Sequence, residues 1–269
     1  MHPIFTTSKL IIVRYPNWAG GKFLINCLGL SAGAVLQDSQ LARDDLDGQL
    51  SSRDKFDILM KRLANTRPKF WSDLNLGCSQ LLGFMATDVV SDDFKNNIYH
   101  NLLSYDLSKS GRYFFIVAHT PTQYKNLKNV FPNALSIVFK NSNKFVTERS
   151  KFLMPDVVKF LATNWNKVKK DQWPSSLPRT VQDLNQCSDL IKKDIINLCP
   201  DCVGMLVDSA DYEEFDADST AYWDNNLYFS ETGTVNEIEK MYKHFGLSDF
   251  NQELITNFYK QWINTILDR

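Results

Sequence analysis

The segment from Lys9 to Leu28 constrains the fold of this chain more than any other part of the sequence. Lys9–Tyr15 (KLIIVRY) is a short, apolar, β-branched run that ends at Pro16, which predicts a buried strand. A glycine pair, Gly20-Gly21, follows. The apolar residues after the pair recur at helical spacing: Phe23, Leu24, Cys27 and Leu28. The segment therefore predicts a strand, a glycine turn and a helix in succession.

Two further strands are predicted in the middle of the chain. Arg112–Ala118 (RYFFIVA) and Leu135–Phe139 (LSIVF) are both apolar and rich in aromatic or β-branched residues, and a short polar helix is predicted between them over Thr122–Val130. Strands that are separated by helices favour a mostly parallel sheet with helices on both faces. The predicted fold class is therefore three-layer α/β.

The rest of the sequence is mainly helical in pattern. Apolar faces at helical spacing recur in four segments: Asp54–Ala64, Asp93–Leu107, Pro155–Val168 and Val181–Leu198. Val203–Val207 is a candidate for one more strand. The C-terminal part is thus predicted to be rich in helices.

Two helices are predicted at the C-terminal end. Thr234 and Glu237 have the spacing of a capping box at the start of one helix, and Gly246 stands where that helix is expected to stop. The second helix carries an apolar stripe that we expect to pack on the core: Phe250, Leu254, Phe258, Trp262 and Ile266.

Composition excludes several classes of function. The 269 residues show no linker or repeat, so we expect a single domain over 1–269. The 30 basic and 31 acidic side chains are balanced, which argues against a nucleic-acid-binding protein. No stretch approaches the ~20 apolar residues that span a bilayer, and no signal-peptide pattern opens the chain. The five cysteines have no framework spacing, which indicates reduced thiols and a cytoplasmic location, and the isolated Cys199-Pro-Asp-Cys202 pair does not favour a metal or redox site.

The glycine turn is a candidate anion site. Backbone N–H groups at a helix N-terminus point at an anion, the helix dipole favours negative charge, and Lys22 adds a positive charge. The pattern of a nucleoside triphosphatase loop would need glycine at position 16 and Ser or Thr at position 23, where this chain has Pro16 and Phe23. Because the absent hydroxyl is the usual Mg²⁺ ligand, the turn suits an anionic nucleotide bound without metal. A tight turn that uses glycine for geometry alone is the alternative.

The order of three motifs resembles the P-loop sulfotransferase family, whose members transfer a sulfuryl group from 3′-phosphoadenosine 5′-phosphosulfate (PAPS) without a metal. Tyr15-Pro16, followed by Ala19–Leu24, resembles the family's loop Y-P-K-S-G-T-T-W-L, with one extra residue in the turn. The family holds the 5′-phosphosulfate in that loop. The resemblance therefore implies PAPS contacts from seven residues: Asn17, Trp18, Ala19, Gly20, Gly21, Lys22 and Phe23.

The second motif, Ala118-His119-Thr120-Pro121, is similar to the family's T-H-L-P, in which the histidine is the catalytic base. His119 suits that role because an imidazole with a pKa near 6.5 can accept the proton of an acceptor hydroxyl. A histidine that merely caps the end of a strand is the alternative.

The third motif, Pro132–Asn141, resembles the family's P-x-A-K-I-I-Y-V-x-R-N. The arginine of that pattern and a serine eight residues later bind the 3′-phosphate in the family. Lys140 takes the arginine's position, which keeps the charge but loses the bidentate fork. The serine's position falls on Glu148, so Thr147 and Arg149 beside it are the candidate contacts.

The resemblance implies a three-layer P-loop fold and a PAPS-dependent sulfotransferase. Lys22 and His119 would be its catalytic residues, its acceptor would be a hydroxyl or amine of a small molecule or glycan, and no metal, nucleic acid or membrane would take part. A non-catalytic relative that binds a nucleotide or a partner stays open, since Trp18, Lys140 and Glu148 depart from the family pattern. An ATP-dependent P-loop kinase is the third hypothesis, against which the missing hydroxyl at position 23 argues.

Two other features have plain structural interpretations. The acidic run over 208–218 (DSADYEEFDAD) is expected to be a solvated loop rather than a metal site. Four aromatic residues are expected to pack in the core rather than to line an acceptor or adenine pocket: Tyr222, Trp223, Tyr228 and Phe229.

Overall fold

The centre of the molecule is a parallel sheet. The computed structural model describes residues 9–15, 20–35, 50–65, 112–118, 121–140 and 220–267. Within these ranges the strands are β1 (Leu10–Arg14), β2 (Phe114–Ala118), β3 (Leu135–Lys140) and β4 (Thr220–Asp224). Their order across the sheet is β2-β1-β3-β4, and every neighbouring pair is parallel. The predicted α/β class with a parallel sheet is confirmed.

The described ranges also contain five α-helices and one 3₁₀-helix. They are α1 (Gly21–Gly29), α2 (Ser52–Asn65), α3 (Pro121–Val130), the 3₁₀-helix (Asn225–Phe229), α4 (Glu231–Phe245) and α5 (Gln252–Leu267). None of the helices in the described ranges is long and apolar enough to cross a bilayer. The predicted β1, β2, β3, α1, α2 and α3 are all present, with bounds shifted by two residues or fewer. β4 was not predicted, and the elements expected at 93–107, 155–168, 181–198, 203–207 and 208–218 lie outside the described residues.

Alternating residues of the strands face two different layers. Val13, Phe115 and Phe139 belong to the same apolar core as residues of α1, α4 and α5. Ser136, three residues before Phe139 on β3, faces the other side of the sheet. Its hydroxyl there is 2.8 Å from the hydroxyl of Tyr124 on α3. Side chains alternate between the two faces of a strand, so α1, α4 and α5 cover one face of the sheet and α3 covers the other. The fold therefore has three layers.

The start of α4 differs from the prediction. Ser230 is the N-cap, and its hydroxyl accepts a hydrogen bond of 3.0 Å from the N–H of Gly233. The predicted capping box at Thr234 is therefore wrong. Thr234 is buried within the first turn, where its hydroxyl donates to the carbonyl of Leu227 at 2.6 Å. The predicted stop is confirmed, since Gly246 adopts a φ of 61° and its N–H donates to Lys243.

The apolar stripe of the last helix packs on the core as predicted. Leu254, Phe258 and Trp262 are buried in it. Phe250 precedes α5 and packs against the same core while partly exposed. The side chain of Ile266 lies outside the described residues.

The C-terminal end of α1 is closed by side chains from distant segments. Lys55 of α2 is fully buried, and its Nζ donates to the carbonyls of Gly29, Ser31 and Ala34 at 3.2, 2.7 and 2.8 Å. The hydroxyl of Tyr242 on α4 donates to the carbonyl of Cys27 at 2.8 Å. Burial raises the pKa of the Cys27 thiol and that of the Tyr242 phenol well above their usual values, so both groups stay protonated.

Candidate anion-binding site at the carboxyl edge of the sheet

The strand order marks the edge between β1 and β3 as a candidate ligand site. The chain leaves β1 for β2 on one side and then returns to form β3 on the other side of β1. In open α/β sheets, ligands bind outside the carboxyl ends of the strands where the order reverses in this way. The turn after β1, which leads into α1, and Lys140 at the end of β3 both belong to this edge.

The N-terminus of α1 has no side-chain cap. Gly20 is the N-cap residue, with φ 79° and ψ 11°, and it supplies no side-chain hydrogen bond to the helix. The first turn of α1 also contains no acidic residue. The positive end of the helix dipole is therefore not neutralised by the helix itself, which favours an anion at this point.

The start of α2 shows the contrast. The hydroxyl of Ser51 accepts from the N–H of Asp54 at 3.2 Å, and the carboxylate of Asp54 accepts from the N–H of Ser51 at 3.1 Å. This is a capping box, in which two backbone donors and the dipole are satisfied within the helix. The start of α4 likewise has a serine cap and an acidic residue, Glu231, in its first turn. The sequence of α1 provides neither device.

Both glycines of the turn lie against aromatic rings. A methyl group on Gly20 would lie 2.9 Å from a ring carbon of Tyr228, and its positive φ also favours glycine. A methyl group on Gly21 would overlap the ring of Tyr15. Glycine is therefore required by packing at both positions, and this geometric role accompanies any role in binding.

Lys22 and Phe23 point to different surroundings. Lys22 is the second residue of α1 and is half-buried. Phe23 is in the core, with its ring 4.3 Å from that of Trp262 and 5.5 Å from that of Phe258. The N–H of Phe23 donates to the carbonyl of Gly20 at 3.0 Å. The structure describes four of the predicted loop contacts, and three of them, Gly20, Gly21 and Lys22, lie at the start of the helix. The fourth, Phe23, has its side chain in the core and its N–H bonded to Gly20.

Lys140 contributes a cation to the same edge. It is the last residue of β3 and is exposed, and its Nζ lies 4.4 Å from the centroid of the Tyr222 ring. The other predicted site residues lie outside the described residues: Asn17, Trp18, Ala19, His119, Thr147 and Arg149. His119 is the next residue in the chain after Ala118, with which β2 ends.

A third cation near this edge was not singled out in the sequence. Arg14, the last residue of β1, is buried. Burial raises the pKa of the nearby Tyr124, while the hydrogen bond with Ser136 and the charge of Arg14 oppose that shift. A strand that ends in a charged residue directly before a glycine turn is the sequence signal that could have identified it. The described part of the chain holds no group of three or more metal-ligating side chains.

Asn26 was also not singled out. Its side chain is 2% exposed, and within the described part of the structure its Nδ2 has no hydrogen-bond acceptor. Asn26 lies one helical turn after Lys22, so both residues share one face of α1. The i, i+4 spacing from Lys22 is the signal that could have found it.

Two of the four aromatic residues before α4 lie in the core as expected, whereas the prediction is wrong for Phe229, which is exposed. Trp223 and Tyr228 are fully buried, and their ring centroids are 5.4 Å apart. Tyr222 is half-buried, and Phe229 is 37% exposed. Tyr228 has a second contact that the sequence did not reveal, because its hydroxyl donates to the carbonyl of Gly20 at 3.0 Å.

Two solved structures of sulfotransferases are similar to this chain. No protein-family model matches the sequence, and no curated protein matches it. The chain is similar to sulfotransferase STF1 from Mycobacterium tuberculosis H37Rv, with 14% identity and a TM-score of 0.47 over 100% of this chain and 80% of that one. It is also similar to the sulfotransferase domain from the curacin biosynthetic pathway, with 9% identity and a TM-score of 0.40 over 93% of this chain and 77% of that one. Both likenesses are loose, and they concern the fold alone.

Proposed function

We propose that this chain is a sulfotransferase that moves a sulfuryl group from PAPS to a hydroxyl or amine acceptor. The observation that carries the proposal is the uncapped N-terminus of α1, framed by Gly20 and Gly21, which follows β1 at the reversal of strand order. Lys22 lies in its first turn, and Lys140 ends the neighbouring strand. The order of the three sulfotransferase-like motifs along the sequence supports the same assignment.

The charges of the site fit a nucleotide with two separate anionic groups. The backbone N–H groups at the start of α1, together with Lys22, would hold the 5′-phosphosulfate. Lys140 would contact the 3′-phosphate as a point charge. Asp224, the residue opposite Lys140 in the sheet, accepts a hydrogen bond of 2.8 Å from the N–H of Asn226 and so caps the 3₁₀-helix.

The reaction needs one base and one stabiliser of charge. His119 would accept the proton of the acceptor hydroxyl or amine as that atom forms its bond to sulfur. Lys22 and the first amides of α1 would stabilise the negative charge that collects on the phosphate oxygen when its bond to sulfur breaks. The products are the sulfated acceptor and 3′-phosphoadenosine 5′-phosphate (PAP).

The position of Phe23 argues against the kinase hypothesis. A P-loop kinase places a serine or threonine hydroxyl at this position as a Mg²⁺ ligand. Here the side chain is an apolar ring stacked in the core. The residue after Lys22 therefore has no group that could ligate magnesium.

Calorimetric titration of the full chain with PAP is the direct test of the donor site. We expect PAP to bind without magnesium, and Lys22→Ala and Lys140→Ala each to weaken binding about tenfold because each removes one cation from the site. Lys61→Ala is the control, since Lys61 is exposed on α2. Binding of ATP with Mg²⁺ but not of PAP would support the kinase hypothesis, and binding of neither nucleotide would refute the proposal.

Transfer of labelled sulfate from PAPS to a panel of phenols, amines and sugars then tests the chemistry. His119→Ala should lower the transfer rate by about 10²–10⁴-fold while leaving PAP affinity unchanged, because a general base acts on the acceptor. Tight PAP binding with no transfer to any acceptor would identify the chain as a non-catalytic nucleotide-binding relative.

A further inference from the structure

We infer that Tyr228 is a positioning residue that orients the first amide of α1 toward the anion. This inference rests on the proposed function, since it concerns the same turn. Tyr228 lies in the 3₁₀-helix that follows β4, and it is 208 residues from Gly20 in the chain. Its hydroxyl donates to the carbonyl of Gly20 at 3.0 Å in a buried environment.

The tyrosine is itself held in place on several sides. Its ring centroid lies 4.9 Å from that of Trp262, 5.4 Å from that of Trp223 and 5.8 Å from that of Phe23. The hydroxyl of Tyr259 donates to the backbone carbonyl of Tyr228 at 2.7 Å. A side chain that is packed and anchored in this way presents its hydroxyl at one fixed point.

The direction of the Gly20 carbonyl determines the direction of the next N–H. The C=O and the N–H of a trans peptide unit lie in one plane and point in opposite directions. With the carbonyl of Gly20 drawn toward Tyr228 in the core, the N–H of Gly21 points away from the core. Gly21 is the first residue of α1, so this N–H is one of the helix donors that lack an intrahelical acceptor.

Loss of the hydroxyl would not leave a buried acceptor unsatisfied. The carbonyl of Gly20 also accepts a hydrogen bond of 3.0 Å from the N–H of Phe23. Tyr228→Phe would therefore remove the constraint on orientation and keep the aromatic packing. The variant should therefore still fold, with a modest loss of stability from the missing hydrogen bond, and the loss specific to this position should be one of binding geometry.

The other end of the same helix provides a matched control. The hydroxyl of Tyr242 donates to the carbonyl of Cys27 at 2.8 Å, also in a buried environment. Cys27 lies in the last turn of α1, away from the anion turn. Tyr228→Phe and Tyr242→Phe thus each remove one buried hydroxyl from one end of α1.

The experiment compares PAP binding and thermal unfolding of the two variants. We expect Tyr228→Phe to weaken PAP binding about fivefold and Tyr242→Phe to change it less than twofold, while both lower the melting temperature by similar amounts. Equal effects of the two variants on PAP affinity, or no effect of Tyr228→Phe, would overturn the inference.

A second measurement needs no nucleotide. In ¹⁵N-glycine-labelled protein, Tyr228→Phe should lower the heteronuclear NOE of the Gly20 and Gly21 amides, because the turn gains motion on the picosecond to nanosecond timescale. Tyr242→Phe should leave both values unchanged. If the wild-type chain fails to bind PAP, the proposed function falls and these NOE values alone decide whether Tyr228 fixes the turn. Unchanged NOE values in Tyr228→Phe would refute the positioning role whatever the nucleotide result.

Discussion

The two ends of α1 are built in opposite ways. At the C-terminal end, Lys55 donates to the carbonyl of Gly29 and to two carbonyls just after the helix, and Tyr242 donates to the carbonyl of Cys27. At the N-terminal end, Gly20 supplies no side-chain cap and the first turn holds no acidic residue. We call these the closed end and the open end of α1.

The difference separates stability from binding within one helix. The closed end removes the need for water or a ligand at the orphan carbonyls, which anchors α1 against α2 and α4. A glycine N-cap is roughly a few tenths of a kcal/mol less favourable than a serine or aspartate cap. In the proposed function, the first amides of the open end donate to an anion instead. Substitutions at the closed end should therefore affect unfolding most, and substitutions at the open end should also affect nucleotide binding.

Lys55→Met should have the largest effect on stability. The side chain is fully buried, so the substitution removes the charged donor of the carbonyls of Gly29 and Ser31, while the carbonyl of Ala34 keeps its hydrogen bond of 2.7 Å from Arg112. We expect the free energy of unfolding to fall by about 3 kcal/mol. Urea denaturation followed by circular dichroism measures this loss.

Lys61→Met is the matched control for that measurement. Lys61 is exposed on the same helix, so its loss should change the unfolding free energy by less than about 0.5 kcal/mol. PAP affinity of the folded Lys55→Met protein should stay within twofold of the wild type. A tenfold loss of affinity would contradict the separation of the two ends.

Gly20→Ala should have the second-largest effect on stability and act on the open end. The new methyl group would meet the ring of Tyr228 at 2.9 Å, and alanine would have to adopt a φ of 79°. We expect about 2 kcal/mol of lost stability, from the left-handed backbone and the displaced ring, together with about tenfold weaker PAP binding.

Gly246→Ala isolates the backbone part of that effect. Gly246 also has a positive φ of 61°, but a methyl group there would meet nothing within 4 Å. This variant should lose about 1 kcal/mol and bind PAP normally. If both glycine variants lose the same stability and bind PAP equally well, contact between Tyr228 and the turn has no role in the site.

The open end was largely predictable from the sequence, because its signals are local. An apolar run that stops at Pro16, a glycine pair and a helical repeat lie within twenty residues of each other and identify β1, the turn and α1. The same kind of local pattern identified β2, β3 and the C-terminal stop of α4. These elements form largely from neighbouring residues, so their sequence carries the information.

The closed end and its partners were not predictable because they depend on distant residues. The three acceptors of Lys55 lie 21 to 26 residues before it in the chain, and Tyr228 lies 208 residues from Gly20. β4 was missed because burial along TAYWD does not alternate. Thr220 and Trp223 are buried, the two residues between them are half-buried, and Asp224 is exposed. At α4 the miss has a local cause, since Ser230 caps the N–H of Gly233 and Thr234 donates to Leu227, seven residues before it. Two serine or threonine residues four positions apart both fit a helix start, and the spacing of Thr234 and Glu237 favoured the wrong one.

Asp54→Asn should have the smallest effect on stability. It tests the capped start of α2, the helix that brings Lys55 to the closed end of α1. Hydrogen bonds from the hydroxyl and the N–H of Ser51 lower the pKa of Asp54. A lowered pKa in the folded state means that ionised Asp54 stabilises the fold above its unfolded pKa of about 3.9, and that this contribution is lost as the pH falls through the folded pKa.

The melting temperature of Asp54→Asn should therefore lie slightly below that of the wild type at pH 7, and the two should converge as the pH falls through the lowered pKa of folded Asp54, below which both side chains are neutral. Asp57→Asn removes an equal charge three residues later, where the carboxylate forms an ion pair of 3.3 Å with exposed Arg53. It should show a smaller difference at pH 7, since exposed ion pairs contribute little. Identical pH profiles for the two variants would mean that charge alone matters at the start of α2. Different profiles would show that a capped helix end, the device that α1 lacks, contributes to holding Lys55 in place.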